Sequence, residues 1–90
     1  MAKWRSEAIQ RLTELRTAIA SAENVMALWI ELLTTFEFAQ NKPEKDNLIR
    51  RIHSYAEWCL NAPRDNDPSH DPPTAVTVAF YEHLDDLDKR

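Results

Sequence analysis

A loop rich in aspartate and proline holds the side chains best suited to bind a metal ion. From Asp65 to Asp71, oxygen-bearing side chains occupy alternate positions, which is how a calcium-binding loop begins. The calcium pattern then fails, because His70 stands where the loop needs glycine and Val76 stands where it needs glutamate. A solvated turn is therefore the expected explanation, and a metal role would have to use Asp65, Asp67, His70 and Asp71.

Three histidines raise the alternative of a metal-dependent or acid–base enzyme. His53 and Glu57 are four residues apart, which places them on one face of a helix and permits joint ligation of a metal. The HExxH and paired ExxH patterns that mark catalytic metal sites on helices do not occur in the sequence. The enzyme alternative requires that His53, Glu57, His70 and His83 converge on folding. A non-enzymatic protein without a cofactor is favoured over it.

Cys59 is the single cysteine of the chain. It cannot form an intramolecular disulfide, and a zinc site built from several cysteines is excluded. Because Cys59 continues a helical stripe of apolar residues, we expect it to fill space in the core rather than to act as a nucleophile. An unpaired cysteine fits a reducing compartment, so we expect a cytoplasmic protein.

The charges are unevenly distributed along the chain. The net charge is −4, and residues 65–90 carry seven acidic side chains against Lys89 and Arg90. This asymmetry favours a partner protein with a basic surface, contacted through the acidic residues Asp85, Asp86 and Asp88. A weak nucleic-acid binder is a second alternative, disfavoured by the acidic remainder of the chain. It would use Arg11, Arg16, Arg50 and Arg51.

The sequence contains no glycine. Tight hairpins built on Asn-Gly or Asp-Gly, the phosphate-binding P-loop and the dinucleotide fingerprint all depend on glycine, so all three are excluded. A sheet-rich fold is therefore disfavoured.

The elements that must position these side chains are predicted to be helices. Apolar residues recur every three or four positions and predict helices over about 6–21, 25–40 and 43–62 and from Thr74 onward. Ser6 and Thr74 are the expected N-caps of the first and last helices, and Pro43 suits the start of the third. The prediction is one all-α domain over 1–90, a small antiparallel bundle of four helices. It has a Pro/Asp-rich loop at 63–73 and a frayed acidic tail at 85–90.

Two alternatives to this arrangement remain open. The first two helices could form one long bent helix, because no glycine separates them. Residues 75–81 alternate β-branched and other side chains as a strand does, which would give an α+β fold. The strand is disfavoured because no other segment could pair with it.

Large apolar residues off the main stripes predict an interaction surface. Met26, Phe38 and Trp4 are expected to be exposed, and the second helix carries more apolar surface than one core needs. The predicted function is a non-enzymatic protein-interaction module, either an immunity or antitoxin-like inhibitor or a regulatory adaptor. A homodimer formed through the second helix is a related expectation. No stretch is long and apolar enough for membrane insertion.

Overall fold

The computed structural model describes residues 2–84, and within this range the chain is helical with no strand. Five α-helices occur in it: α1 (Lys3–Arg11), α2 (Arg16–Ser21), α3 (Val25–Ala39), α4 (Asp46–Leu60) and α5 (Pro72–Val76). The turns Thr13–Leu15, Pro43–Lys45 and Pro68–His70 are 3₁₀ helices, and α5 continues as a π-helical segment over Thr77–Tyr81. The all-α prediction is confirmed, and the strand over 75–81 is wrong.

The prediction of a single first helix is wrong, because the chain breaks at Leu12. The backbone of Leu12 is non-helical, with φ −127° and ψ 59°, and its side chain is fully buried. Arg5 in α1 donates hydrogen bonds to the carbonyl oxygens of Ile19, Ala20 and Ala22 at 2.8–2.9 Å. These bonds hold the C-terminal end of α2 beside the start of α1. The described residues therefore form five α-helices rather than four.

Helix α1 also begins earlier than predicted. It starts at Lys3, so Ser6 lies inside the helix and is not its N-cap. The three additional residues place Trp4 one turn before Ala8 and two turns before Leu12, on the face that is buried. Trp4 is 7% exposed and belongs to the core, so its predicted exposure is wrong.

Helix α3 is separate from α2, so the alternative of one long bent helix is also wrong. The side chain of Asn24 accepts a hydrogen bond from the backbone N–H of Ala27 at 2.8 Å and caps the start of α3. An N-cap residue has extended backbone dihedrals, which interrupt a helix without glycine. At Asn24 they are φ −154° and ψ 175°.

Helix α5 begins at Pro72, two residues before the predicted start. Asp71, not Thr74, is the N-cap residue, and its carboxylate accepts a hydrogen bond from the backbone N–H of Thr74 at 3.3 Å. Pro72 and Pro73, expected in the loop, occupy the first turn of α5 and are buried. Proline suits this position because its missing N–H would have no partner inside the helix.

One aromatic cluster joins the helices in the core. Trp29 of α3 stacks on Tyr55 of α4 with ring centroids 5.4 Å apart, and it contacts Phe80 at 5.0 Å. The Tyr55 hydroxyl donates a hydrogen bond to the carbonyl oxygen of Trp4 at 2.9 Å, which ties α4 to α1. Helices α3 and α4 pack against one another and both contact α5. No helix within 2–84 is long and apolar enough to cross a bilayer.

Candidate functional site

The Asp/Pro-rich loop uses its carboxylates to hold its own backbone. Asp71 is 1% exposed and accepts hydrogen bonds from the backbone N–H of Asp65 at 2.8 Å and from the Arg64 guanidinium at 3.1 Å. Asp67 accepts from Ser69 and lies 3.1 Å from His70 Nδ1. The hydroxyl of Thr74 also donates a hydrogen bond to the Asp71 carboxylate. This bond, together with those from Asp65 and Arg64, holds the pKa of Asp71 below its usual value. Within residues 2–84, no three His, Cys, Asp or Glu side chains are arranged to hold a metal ion.

The four residues of the enzyme alternative do not form such a group either. His53 is exposed on α4, where its ring contacts Phe36 at 5.4 Å and Phe80 at 5.6 Å. His70 lies in the Pro68–His70 turn and bonds locally within the loop. Glu57 is exposed on α4, and His83 is exposed after the π-helical segment. Each of these side chains is positioned by its own surroundings and not by a common pocket.

Cys59 is fully buried against Trp29, as the space-filling role predicts. The indole N–H of Trp29 donates to its sulfur atom at 3.4 Å. Burial raises the pKa of the Cys59 thiol to about 11. Because the thiolate is the reactive form, the raised pKa and the burial of Cys59 both disfavour a role as a nucleophile.

Two of the four candidate arginines are paired with carboxylates. Arg11 forms an ion pair with Glu7, and Arg51 forms one with Glu14 through both of its terminal nitrogens. Arg16 and Arg50 are exposed on different helices, α2 and α4. The structure therefore does not bring the four guanidinium groups into one unpaired cationic face.

The predicted interaction residues have different surroundings. Phe38 is 67% exposed at the end of α3, and the Lys42 ammonium lies 4.7 Å from the centre of its ring. Ile30, two turns before Phe38, is 58% exposed, whereas Met26 packs partly against the core. The acidic residues Asp85, Asp86 and Asp88 lie outside the described range.

A groove of about 720 Å³ lies between α3 and the segment that contains α2. Its apolar surface comes from small or aliphatic side chains, and three carboxylates stand at its edge. None of its lining residues is basic. The lining comprises Glu14, Leu15, Thr17, Ala18, Ser21, Ala22, Glu23, Ala27, Ile30 and Glu31.

The three carboxylates of the groove differ in their pairing. The hydrogen bond from Arg51 lowers the pKa of Glu14 to about 2, so Glu14 is anionic but already neutralised by a cation. Glu23 and Glu31 are exposed, and neither forms an ion pair with another residue of 2–84. Their charge is available to a molecule that enters the groove.

A second cleft of about 610 Å³ lies between the start of α1, the end of α4 and the Asp/Pro-rich loop. The indole rings of Trp4 and Trp58 line it, together with Lys3, Asp65 and His70. Because its polar side chains carry both signs of charge, this cleft does not select one class of ligand by electrostatics.

Sequence analysis did not single out the groove residues. Alanines such as Ala18 and Ala27 contribute little to an apolar periodicity, and the sequence does not show which element Glu14 lies beside. A usable signal was the set of small residues Ala18, Ser21 and Ala22, of which Ala18 and Ser21 lie at helical spacing on α2 and Ala22 follows its end. Such spacing leaves a shallow face on a helix but does not say which neighbour borders it.

Comparisons of the chain with protein-family models, curated proteins and solved structures gave no match, so its function has to be inferred from the geometry of this molecule.

Proposed function

We propose that the protein is a non-enzymatic interaction module whose groove between α2 and α3, the α2/α3 groove, binds a basic surface of another protein. The observation that carries the proposal is an apolar floor bordered by unpaired carboxylates, with no basic residue in the lining. A surface of this kind offers both burial of apolar side chains and attraction for positive charge.

The apolar floor supplies the attraction that a partner needs. Ile30 is 58% exposed at one edge, and Leu15, Ala18, Ala22 and Ala27 provide apolar surface beside it. Burying such surface contributes roughly 25 cal/mol per Å² before the cost of ordering the partner is subtracted. An exposed isoleucine bordering a groove is therefore a favourable contact point.

The charges argue for a basic partner rather than a second copy of this chain. Glu23 and Glu31 are unpaired within 2–84, and the whole chain has a net charge of −4. A second copy would bring more negative charge to a negative rim, whereas a basic protein would be attracted. Such complementarity raises the rate of association and selects the orientation of the partner.

A module of this kind would act as an inhibitor of the immunity or antitoxin type, or as a regulatory adaptor. Both roles need only a specific surface and a stable scaffold. The single buried cysteine fits a cytoplasmic setting, since the fold does not use a disulfide.

The proposal is tested by capture on immobilised protein at low and high salt, with identification of what is retained. We expect wild-type protein to retain a basic partner at low salt, and the double variant Glu23→Lys, Glu31→Lys to lose it. The control is Glu57→Lys, Glu82→Lys, which changes the net charge equally at exposed sites outside the groove.

The control variant should retain the same partner as the wild type. If all three proteins retain it equally, the partner binds elsewhere and the groove proposal is wrong. Retention of no protein, or only of acidic proteins, at low salt would also contradict it.

A second candidate function is self-association through the exposed face of α3. Ile30 and Phe38 are eight residues apart, and both are more than half exposed. Two aromatic or aliphatic side chains on one helix face can meet the same face of a second copy in a symmetric contact. Ile30 also lines the α2/α3 groove but Phe38 does not, so substitution of Phe38 alone tests this candidate separately.

A further inference from the structure

We infer that the element bound in the α2/α3 groove is an amphipathic helix with basic residues beside its apolar stripe. This inference rests on the proposed function and adds to it the conformation of the partner segment. A basic segment that enters the groove could in principle be a helix, an extended strand or a loop. The shape of the groove favours the helix.

Both walls of the groove are helical and present one face each. On one wall, Ala18 and Ser21 of α2 are three residues apart, which is the spacing of side chains on one face of a helix, and Leu15 and Ala22 flank α2. On the other wall, Ala27 and Ile30 are three residues apart in α3. The spaces between such side chains accept the ridges of a third helix, which repeat with the same period. An extended strand repeats every two residues and does not match them.

The floor is shallow enough for a helix backbone to come close. Ala18, Ala22 and Ala27 have side chains of one carbon atom and are each partly exposed. Helices approach to about 8–10 Å between axes, and small contact residues favour the lower end of that range. Apolar side chains on the partner would then fill the space that the alanines leave, which is how a helix binds in a groove.

The length of the groove sets the length of the partner. Helix α2 is six residues long, or about 9 Å at 1.5 Å per residue, and Leu15 and Ala22 extend the wall by one residue at each end. A bound helix therefore makes contact over about eight residues, with apolar side chains near positions i, i+3 or i+4, and i+7. Isolated helices shorter than about 12 residues are marginal in water. A partner segment that is already constrained as a helix should bind more tightly than a flexible one.

The carboxylates fix where the partner carries its basic residues. Glu23 lies in the connection between α2 and α3, whereas Glu14, at the opposite end of the α2 wall, is already paired with Arg51. Glu31 borders the groove from α3. Lysine or arginine residues of the partner therefore lie beside Glu23 and Glu31, at one end of the apolar stripe and along its α3 side.

The inference is tested with synthetic peptides and the full chain. The probe is a 16-residue helix of leucine, lysine and alanine, cross-linked across one turn, with leucines at positions i, i+3 and i+7 and lysines flanking them. The comparison peptide has the same sequence except that proline replaces its central residue, which breaks the helix. Fluorescence anisotropy of the labelled peptides measures binding. We expect the cross-linked helix to bind at least tenfold more tightly.

A matched pair of variants locates the binding. Ala18→Phe fills the floor of the groove and should weaken binding of the helical peptide at least tenfold. Ala20→Phe places the same side chain at an exposed position of the same helix, outside the groove, and should leave binding unchanged. Circular dichroism confirms that both variants are folded before binding is measured.

The outcomes separate this inference from the proposed function. If the helical and proline peptides bind equally and Ala18→Phe weakens both, the groove binds basic segments but not as helices, so only the inference is overturned. If neither peptide binds, or if Ala18→Phe has no effect on the helical peptide, the inference is overturned. Capture of a basic partner that depends on Glu23 and Glu31 would still support the proposed function.

Discussion

Asp71 is the one buried charged side chain that the described part of the chain contains. A buried carboxylate is tolerated when its oxygens receive hydrogen bonds, because these replace the water it loses. Asp71 receives them from Arg64, Thr74 and the backbone N–H of Asp65. It therefore joins the loop to the start of α5, and the residue that resembled a calcium ligand has a structural role.

Replacing Asp71 with asparagine should destabilise the fold. The substitution removes the charge that pairs with Arg64 and leaves fewer acceptors for buried donors, which costs about 1–3 kcal/mol. In a domain of this length, each kcal/mol lowers the melting temperature by roughly 4–8 °C. Thermal unfolding at pH 7 measures the change. The control Asp67→Asn alters an exposed carboxylate of the same loop and should have a smaller effect.

The cost of Asp71→Asn should also depend on pH. The pKa of Asp71 in the folded chain lies below its ordinary value of 3.8, so the folded state favours the charged form. This stabilisation is present in full above that ordinary pKa and is lost as the pH falls through the folded-state pKa. The difference between wild type and variant should therefore shrink on acidification below that range. A difference that stays constant through the whole acid range would contradict the role of the charge.

Within residues 2–84, the starts of α3 and α5 and the end of α2 are completed by polar side chains instead of glycine. Asn24 and Asp71 cap the starts of α3 and α5 with their own side chains. Arg5 donates to carbonyl oxygens at the end of α2, from a position 14–17 residues earlier in the sequence. Since the last carbonyl groups of a helix lack partners within it, a guanidinium with several donors is well suited to this position.

Substitution of Arg5 with methionine should release the end of α2. The variant keeps most of the aliphatic length but loses three hydrogen bonds, and hydrogen bonds to charged groups contribute about 1.5–3 kcal/mol each at most. Because part of this site is open to water, we expect a net loss of about 2 kcal/mol in the free energy of unfolding. Urea denaturation measures it.

The control for Arg5 is Arg16→Met on α2. Arg16 is exposed, and its side chain forms no hydrogen bond or ion pair within residues 2–84. Its replacement should therefore change stability by less than about 0.5 kcal/mol, the range for surface substitutions. Equal effects of the two variants would contradict the capping role of Arg5.

The molecule as a whole buries one aromatic core and, within residues 2–84, leaves four large apolar side chains substantially exposed. Trp29, Tyr55 and Phe80 are fully buried at its centre. The exposed residues are Ile30 and Phe38 on α3, Leu60 at the end of α4 and Val78 in the π-helical segment. Single exposed apolar residues are common, but two on one helix face favour an interface.

Self-association through α3 should respond to these two residues in particular. We expect sedimentation velocity to show a population of dimers that increases with protein concentration. The double variant Ile30→Glu, Phe38→Glu should weaken dimerisation at least tenfold, because buried contact residues of this kind contribute roughly 1.4 kcal/mol or more. The control Leu60→Glu, Val78→Glu changes two exposed apolar residues that lie on other elements. A wild type that stays monomeric at the highest concentration would exclude this interface.

Much of the fold was predictable because helices depend on neighbouring residues. The spacing of Leu28, Leu32 and Phe36 predicted α3, and the stripe through Ile52, Tyr55 and Cys59 predicted α4 and the burial of its cysteine. Pairs three and four residues apart lie on one face whatever the rest of the chain does. The absence of glycine was likewise sufficient to exclude the glycine-dependent nucleotide sites.

Contacts between distant residues decided the rest. The break at Leu12 follows from the fit of its side chain in the core and from Arg5 reaching α2, and neither is visible in a local pattern. The burial of Trp4 depended on a helix start that only packing against α4 reveals. The α2/α3 groove exists because two helices lie side by side, so alanines with little signal in the sequence form its floor. Helical periodicity is a property of one segment, whereas a groove, a helix end completed by a distant arginine and a buried carboxylate are properties of several segments brought together.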